Sequence, residues 1–121
     1  MRLYRFDPHA GRPVSAFGSQ SAAIAHIVRA GTVCSAVAIH LEPGGVLGAH
    51  PAAQEQLFLV IAGRGRFRGE EGIWHDAIPG RAAFWRQGEV HETRAGHEGL
   101  TAVVLEGDGF GEAIVLPPWS D

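Results

Sequence analysis

From Thr32 onward the chain is a succession of short runs rich in Val, Ile, Phe and Trp, cut at close intervals by glycine. No stretch between them carries the apolar spacing of a helix, and this constrains the fold more than any other feature. The spacing predicts strands over 33–42, 55–62, 64–69, 72–77, 82–86, 91–95, 100–106 and 112–116. Their separators are turn sequences: Pro43-Gly44-Gly45, Ala62-Gly63, Gly69-Glu70-Glu71-Gly72, Pro79-Gly80, Gln87-Gly88, and the segments 94–99 and 106–111. Many short strands without intervening helices exclude a parallel βαβ sheet and predict an antiparallel barrel or sandwich.

The residues before Thr32 read differently. An extended piece, Arg2 to Phe6, is followed by a turn rich in Pro and Gly and then by the segment 19–31. That segment fits a short helix closed by Gly31, or an extended arm with Ile24, His26 and Val28 on one face. The expected organisation is an N-terminal arm over 1–31, a single β domain over 32–116 and a tail over 117–121. A chain of 121 residues buries roughly two thirds of its unfolded surface without a disulfide or structural metal. Any bound metal is therefore expected to be functional and not a folding requirement.

Composition removes several classes of function. Net charge is −3, and all ten basic residues are arginine. Arg64, Arg66 and Arg68 form one compact basic stripe on a single strand face, which is no footprint for a nucleic acid. Cys34 is the single cysteine and lies in an apolar run, where it reads as a buried structural thiol. The first residues carry charges where a secretion signal needs an apolar core, and no apolar run approaches a membrane span. A cytoplasmic protein without nucleic-acid or membrane partners is expected.

The chemistry concentrates in two segments. One runs from Gly44 through His50 and Gln56 to Gly63, and the other from Gly80 through Gly88 to His91. Each histidine falls beside the end of an expected strand, where a barrel can aim both rings into one cavity. The spacing resembles the two motifs of the cupin superfamily, small barrels of the double-stranded β-helix type. In the first motif Gly44 takes the opening glycine, His50 the first histidine, Ala52 the second histidine, Gln56 the glutamate and Gly63 the closing glycine. In the second, Gly80 takes the opening glycine, Arg86 the proline, Gly88 the next glycine, His91 the histidine and Ala95 the asparagine.

The resemblance implies an all-β, single-domain barrel. It also implies a divalent metal site, for iron, manganese, nickel, copper or zinc, at His50, Gln56 and His91. Two of the four motif ligands differ, since Ala52 offers no donor and Gln56 offers a neutral amide oxygen. Strand alternation sends Glu55 to the face opposite Gln56, and Gln54 could reach in only from the flank. Without an ion, His50, Gln54, Gln56, Phe58, Trp85 and His91 are the expected ligand-binding residues. They make a mostly apolar pocket with a few convergent polar groups, suited to a small polar or anionic molecule. The expected function is small-molecule binding, with a metal-dependent dioxygenase or isomerase as the alternative. The apolar termini, Leu3 to Phe6 and Ala113 to Trp119, suggest a homodimer.

Overall fold

The computed structural model describes residues 1–32 and 34–120. Nine strands run in order: β1 (Arg2–Arg5), β2 (Arg12–Pro13), β3 (Ala23–Ile24), β4 (Ser35–Leu41), β5 (Val46–Pro51), β6 (Glu55–Arg68), β7 (Trp74–Ala77), β8 (Arg81–Trp85) and β9 (Val90–Gly107). Seven of them form one antiparallel sheet, and β2 and β3 pair separately. The all-β expectation holds. Among the described residues no helix is long and apolar enough to cross a membrane.

Several boundaries differ from the sequence reading. The runs 55–62 and 64–69 form one strand, β6, and the runs 91–95 and 100–106 form one strand, β9. Glycine is the reason, because Gly63 (φ +80°) bends the strand without ending it. A Cβ at this position would overlap the Gly99 carbonyl of the neighbouring strand. Residues 112–116 do not form a strand; a 3₁₀ turn at Gly111–Ala113 is followed by a lone bridge between Ile114 and Val28. The segment 19–31 contains no helix, only β3. The strand expected at 33–42 is seen as β4, and its first residue, Val33, lies outside the described residues. β5 was not anticipated at all, although it carries His50.

The two long strands organise the sheet by changing partners along their length. The first half of β6 pairs with β8, the second half with β7, and both halves pair with β9. On its other edge, β9 pairs with β5 near its start and with β4 near its end. The β6/β9 register jumps from Gly65↔Ala95 to Gly63↔Leu100, so residues 96–99 form a bulge within β9 where a turn over 94–99 was expected to separate two strands. Two half-sheets result, joined through β6 and β9, and they enclose the principal core. There Phe58, Phe67 and Trp85 meet edge to face, with ring centroids 5.8 to 6.1 Å apart.

Alternation along β6 sends Leu57 and Leu59 to the opposite face. They pack there in a second cluster with Tyr4, Phe84, Phe110 and Leu116. Both chain ends close over this face: β1 pairs with β8, Arg5 N donates to the Pro117 carbonyl (3.0 Å), and Trp119 N donates to the Leu3 carbonyl (2.9 Å). Tyr4 and Leu116 are buried within their own chain. The termini expected to hold a partner copy are thus spent on intramolecular packing.

Candidate functional site

His50 reaches its position through an irregularity in β5. Leu47 pairs with Thr93 and His50 pairs with His91, so β5 carries one more residue than β9 between these two pairs. In a regular strand, residues three apart face opposite ways; the bulge restores Leu47 and His50 to one side. Within it, His50 Nδ1 lies 2.6 Å from the Gly48 carbonyl. That bond places the proton on Nδ1 and leaves Nε2 with a free lone pair.

His91 stands directly across the strand pair, with ring centroids 4.5 Å apart and the planes inclined at 50°. The His91 ring also meets that of Trp85, with centroids 4.4 Å apart. The residue is buried, 6% exposed, and its Nε2 has no hydrogen-bond partner among the described residues. Trp85 Nε1 shares that condition. Burial, reinforced by the charge of His50 and opposed by that of Glu89, holds the His91 imidazole down to about 4. At neutral pH the ring is therefore uncharged.

The turn before His91 is fixed independently. Glu89 accepts from the backbone N–H groups of Arg86 (3.1 Å) and Glu70 (3.4 Å) and from the Met1 amino group (2.9 Å). Burial raises the Glu89 carboxyl, but these bonds outweigh it and hold the group below its usual range. Ala52, at the second histidine position of the motif, is pinned to the same turn. Its N–H donates to the Glu89 carbonyl (2.9 Å) and its carbonyl accepts from Gly88 N (2.8 Å). Its methyl group belongs to the core.

A cavity of about 150 Å³ opens between the half-sheets at the histidine pair. Its polar lining is His50, Gln56, His91, Thr93 and Glu106; Ile39, Leu47, Phe58 and Val104 complete the wall. Larger clefts exist on the surface, one of about 400 Å³ beside Arg66, Asp76 and Arg94, but neither histidine lines it. Of the residues expected to bind a ligand, His50, Gln56, Phe58 and His91 come together. Two do not line the cavity. Gln54 turns outward to Asp108 (3.5 Å), and Trp85, fully buried, backs His91 from behind. Glu55 faces away as alternation requires, accepting from Gly111 N at 3.1 Å.

Thr93 and Glu106 were not anticipated. Thr93 was legible, lying two residues beyond His91 on the same strand face. Glu106 carries no such signal; it lines the cavity because the second half of β9 pairs with the first half of β6, opposite Gln56. The basic stripe has a structural use. Arg66 and Arg68 lie over the Trp74 ring at 4.7 and 5.7 Å. Glu92 pairs with Arg94 (2.9 Å) and Arg68 (3.0 Å), and its carboxyl is held low chiefly by the Arg94 hydrogen bond.

A divalent ion of the kind the motif resemblance implies needs at least three good donors. The cavity offers two imidazoles, a neutral amide and the Glu106 carboxylate, but the carboxylate is not grouped with both rings closely enough to complete a donor set. Among the described residues, no three His, Cys, Asp or Glu side chains are grouped closely enough to hold an ion. The residues present do not fit a closed metal site.

Comparison with known proteins agrees with the fold. The family model described as cupin domain matches residues 37–108, more than half of the chain. A protein of unknown function from Rhizobium leguminosarum bv. viciae is similar at 21% identity, with a TM-score of 0.57, over 62% of this chain and 70% of its own. A predicted oxalate decarboxylase from Thermotoga maritima follows at 22% identity and 0.54, over 58% of this chain and 62% of its own. A cupin 2 conserved barrel domain protein from Salinispora arenicola matches at 16% identity and 0.55, over 61% of this chain and 62% of its own. The last two are thus matched over less than two thirds of their length, and at these identities the likeness is one of fold. No curated protein sequence matches the chain.

Proposed function

The chain belongs to the cupin family, and from that premise we propose that it binds a small polar molecule in the cavity between its half-sheets. The observation that carries this reading is the cross-strand pair His50–His91 facing a cavity of about 150 Å³, with His91 Nε2 buried and without a hydrogen-bond partner among the described residues. A buried nitrogen without a hydrogen bond costs on the order of 1–3 kcal/mol, a cost that a ligand atom can relieve. Four apolar side chains and a few convergent polar ones are the usual makeup of such a pocket. At about 30 Å³ per water-sized atom group, the volume suits a molecule of roughly five non-hydrogen atoms.

His50 supplies an acceptor at Nε2, oriented by the bond from Nδ1 to Gly48. Gln56 supplies both a donor and an acceptor, and Thr93 a hydroxyl. The second reading, a metal-dependent enzyme of the dioxygenase or isomerase kind, is favoured by one feature: His50 presents its free nitrogen as a ligand histidine does. Metal content of untagged protein purified without chelator separates the two. The binding reading expects well under one ion per subunit. Near one iron, manganese, nickel, copper or zinc per subunit would replace it with the enzyme reading.

A homodimer remains the proposed assembly, through β4 and not through the termini. β4 pairs only with β9, exposes Val37 at 44%, and carries neither a charged residue nor a proline to guard its free edge. Light scattering on the eluting species tests this; a monomer at working concentration would rule it out.

A further inference from the structure

The cavity contains a carboxylate that the sequence motifs do not supply. Glu106 on β9 stands opposite Gln56 on β6 as its Cα partner, and both line the cavity wall. Directly opposed residues of an antiparallel pair hold their side chains side by side on one face, about 5 Å apart at Cβ. Two carboxylates in such a pair would repel; glutamine at 56 leaves the pair with a single negative charge.

Among the described residues no arginine or amino group answers that charge, and the imidazoles that share the cavity make no hydrogen bond to it. The Glu106 side chain forms no ion pair and no hydrogen bond among the described residues, and only its backbone carbonyl accepts, from Ser35 Oγ at 3.4 Å. No arginine lines the cavity, and the chain contains no lysine. A carboxylate beside Phe58 and Val104 lies in a medium of lower dielectric than water, where an opposite charge is attracted strongly and a like charge repelled equally.

We propose that Glu106 is the charge-pairing residue of the cavity and that the ligand is a small organic ammonium compound, not an anion. The inference rests on the reading of this cavity as the ligand site. In this arrangement the ammonium group donates to Glu106 and to the Gln56 amide oxygen. A short alkyl part lies against Ile39, Leu47 and Val104. The fit to size follows, since propylammonium has four non-hydrogen atoms, close to the roughly five that the cavity admits.

The test compares three probes of matched size, propylammonium, 1-propanol and propionate. The His50 and His91 ring resonances are followed by NMR in the wild-type protein, Glu106→Gln and Glu106→Asp. Propylammonium is expected to shift both rings, with an affinity at least about tenfold above that of 1-propanol, and propionate to bind more weakly than either. Glu106→Gln should abolish the preference for the ammonium probe, whereas Glu106→Asp, which keeps the charge, should retain it. Tighter binding of propionate than of propylammonium, or an unchanged preference in Glu106→Gln, overturns the assignment of Glu106 while leaving the cavity as a ligand site. If no probe moves either ring, the cavity reading fails and this inference with it. The wild-type comparison alone decides the sign of the charge preference should Glu106→Gln fail to fold.

Discussion

His50 and His91 occupy directly opposed positions on β5 and β9, forty-one residues apart in sequence and 4.5 Å apart between ring centroids. The pairing makes the two rings a unit. Charging one disfavours charging the other, and each is held from behind, His50 by the Gly48 carbonyl and His91 by the Trp85 ring.

The first consequence is a dependence of stability on pH. In the unfolded chain His91 titrates near 6.5, and in the folded protein near 4. Between these values the unfolded state binds more protons, so stability is complete above the upper value and declines as the pH falls toward the lower one. The loss should be on the order of 1–3 kcal/mol, discounted for the hydration that the cavity admits. Thermal denaturation of wild type and His91→Phe across this range checks it; parallel curves would refute the assignment.

A second prediction concerns the residue at the motif glutamate position. Gln56→Glu adds a carboxylate beside the two imidazoles and opposite Glu106, completing a donor set that suits zinc or manganese. Zinc affinity measured by calorimetry should rise at least about tenfold. An unaltered affinity would mean that position 56 does not face the histidine pair.

The aromatic core gives a third. Phe67 is wholly buried, with its ring 6.1 Å from Phe58 and 6.0 Å from Trp85. Phe67→Ala should cost about 3–5 kcal/mol of unfolding free energy in urea titration. Because Trp85 backs His91, the same variant should broaden the His91 ring resonances. Sharp, unshifted signals would show that the core does not position the site.

Gly63 provides the fourth. Its positive φ and its closeness to the Gly99 carbonyl leave no room for a side chain. Gly63→Ala should destabilise by at least about 2 kcal/mol, whereas Gly72→Ala, in an open turn with a similar φ (+76°), should cost less. Equal melting temperatures for the two variants would contradict the close approach of β6 and β9.

Much of the architecture was legible in the sequence because strands and turns are written locally. Alternating apolar runs carry the all-β class, glycines mark the bends, and the spacing of His50, Gln56, Gly63, Gly80, Gly88 and His91 resembles that of the cupin barrel. The same local rules placed Glu55 and Gln56 on opposite faces correctly, because β6 is regular there.

What the sequence could not decide depends on pairing between distant segments. Val46–Pro51 has too few β-branched residues to read as a strand, and becomes one only because β9 offers it an edge. The bulge between Leu47 and His50 changes which side chains share a face, and no periodicity reveals a bulge in advance. Trp85 shares the inner face with its partner Gln56 but stands behind His91, and Gln54 precedes β6 and turns out to Asp108; neither position is set by alternation within a strand. Glu106 enters the site only through its register with Gln56, fifty residues away. The sequence by itself determined the strands, the bends and the two histidines. The tertiary structure decided which side chains face one another across the cavity, because strand pairing and register are long-range properties that each strand's own residues do not encode.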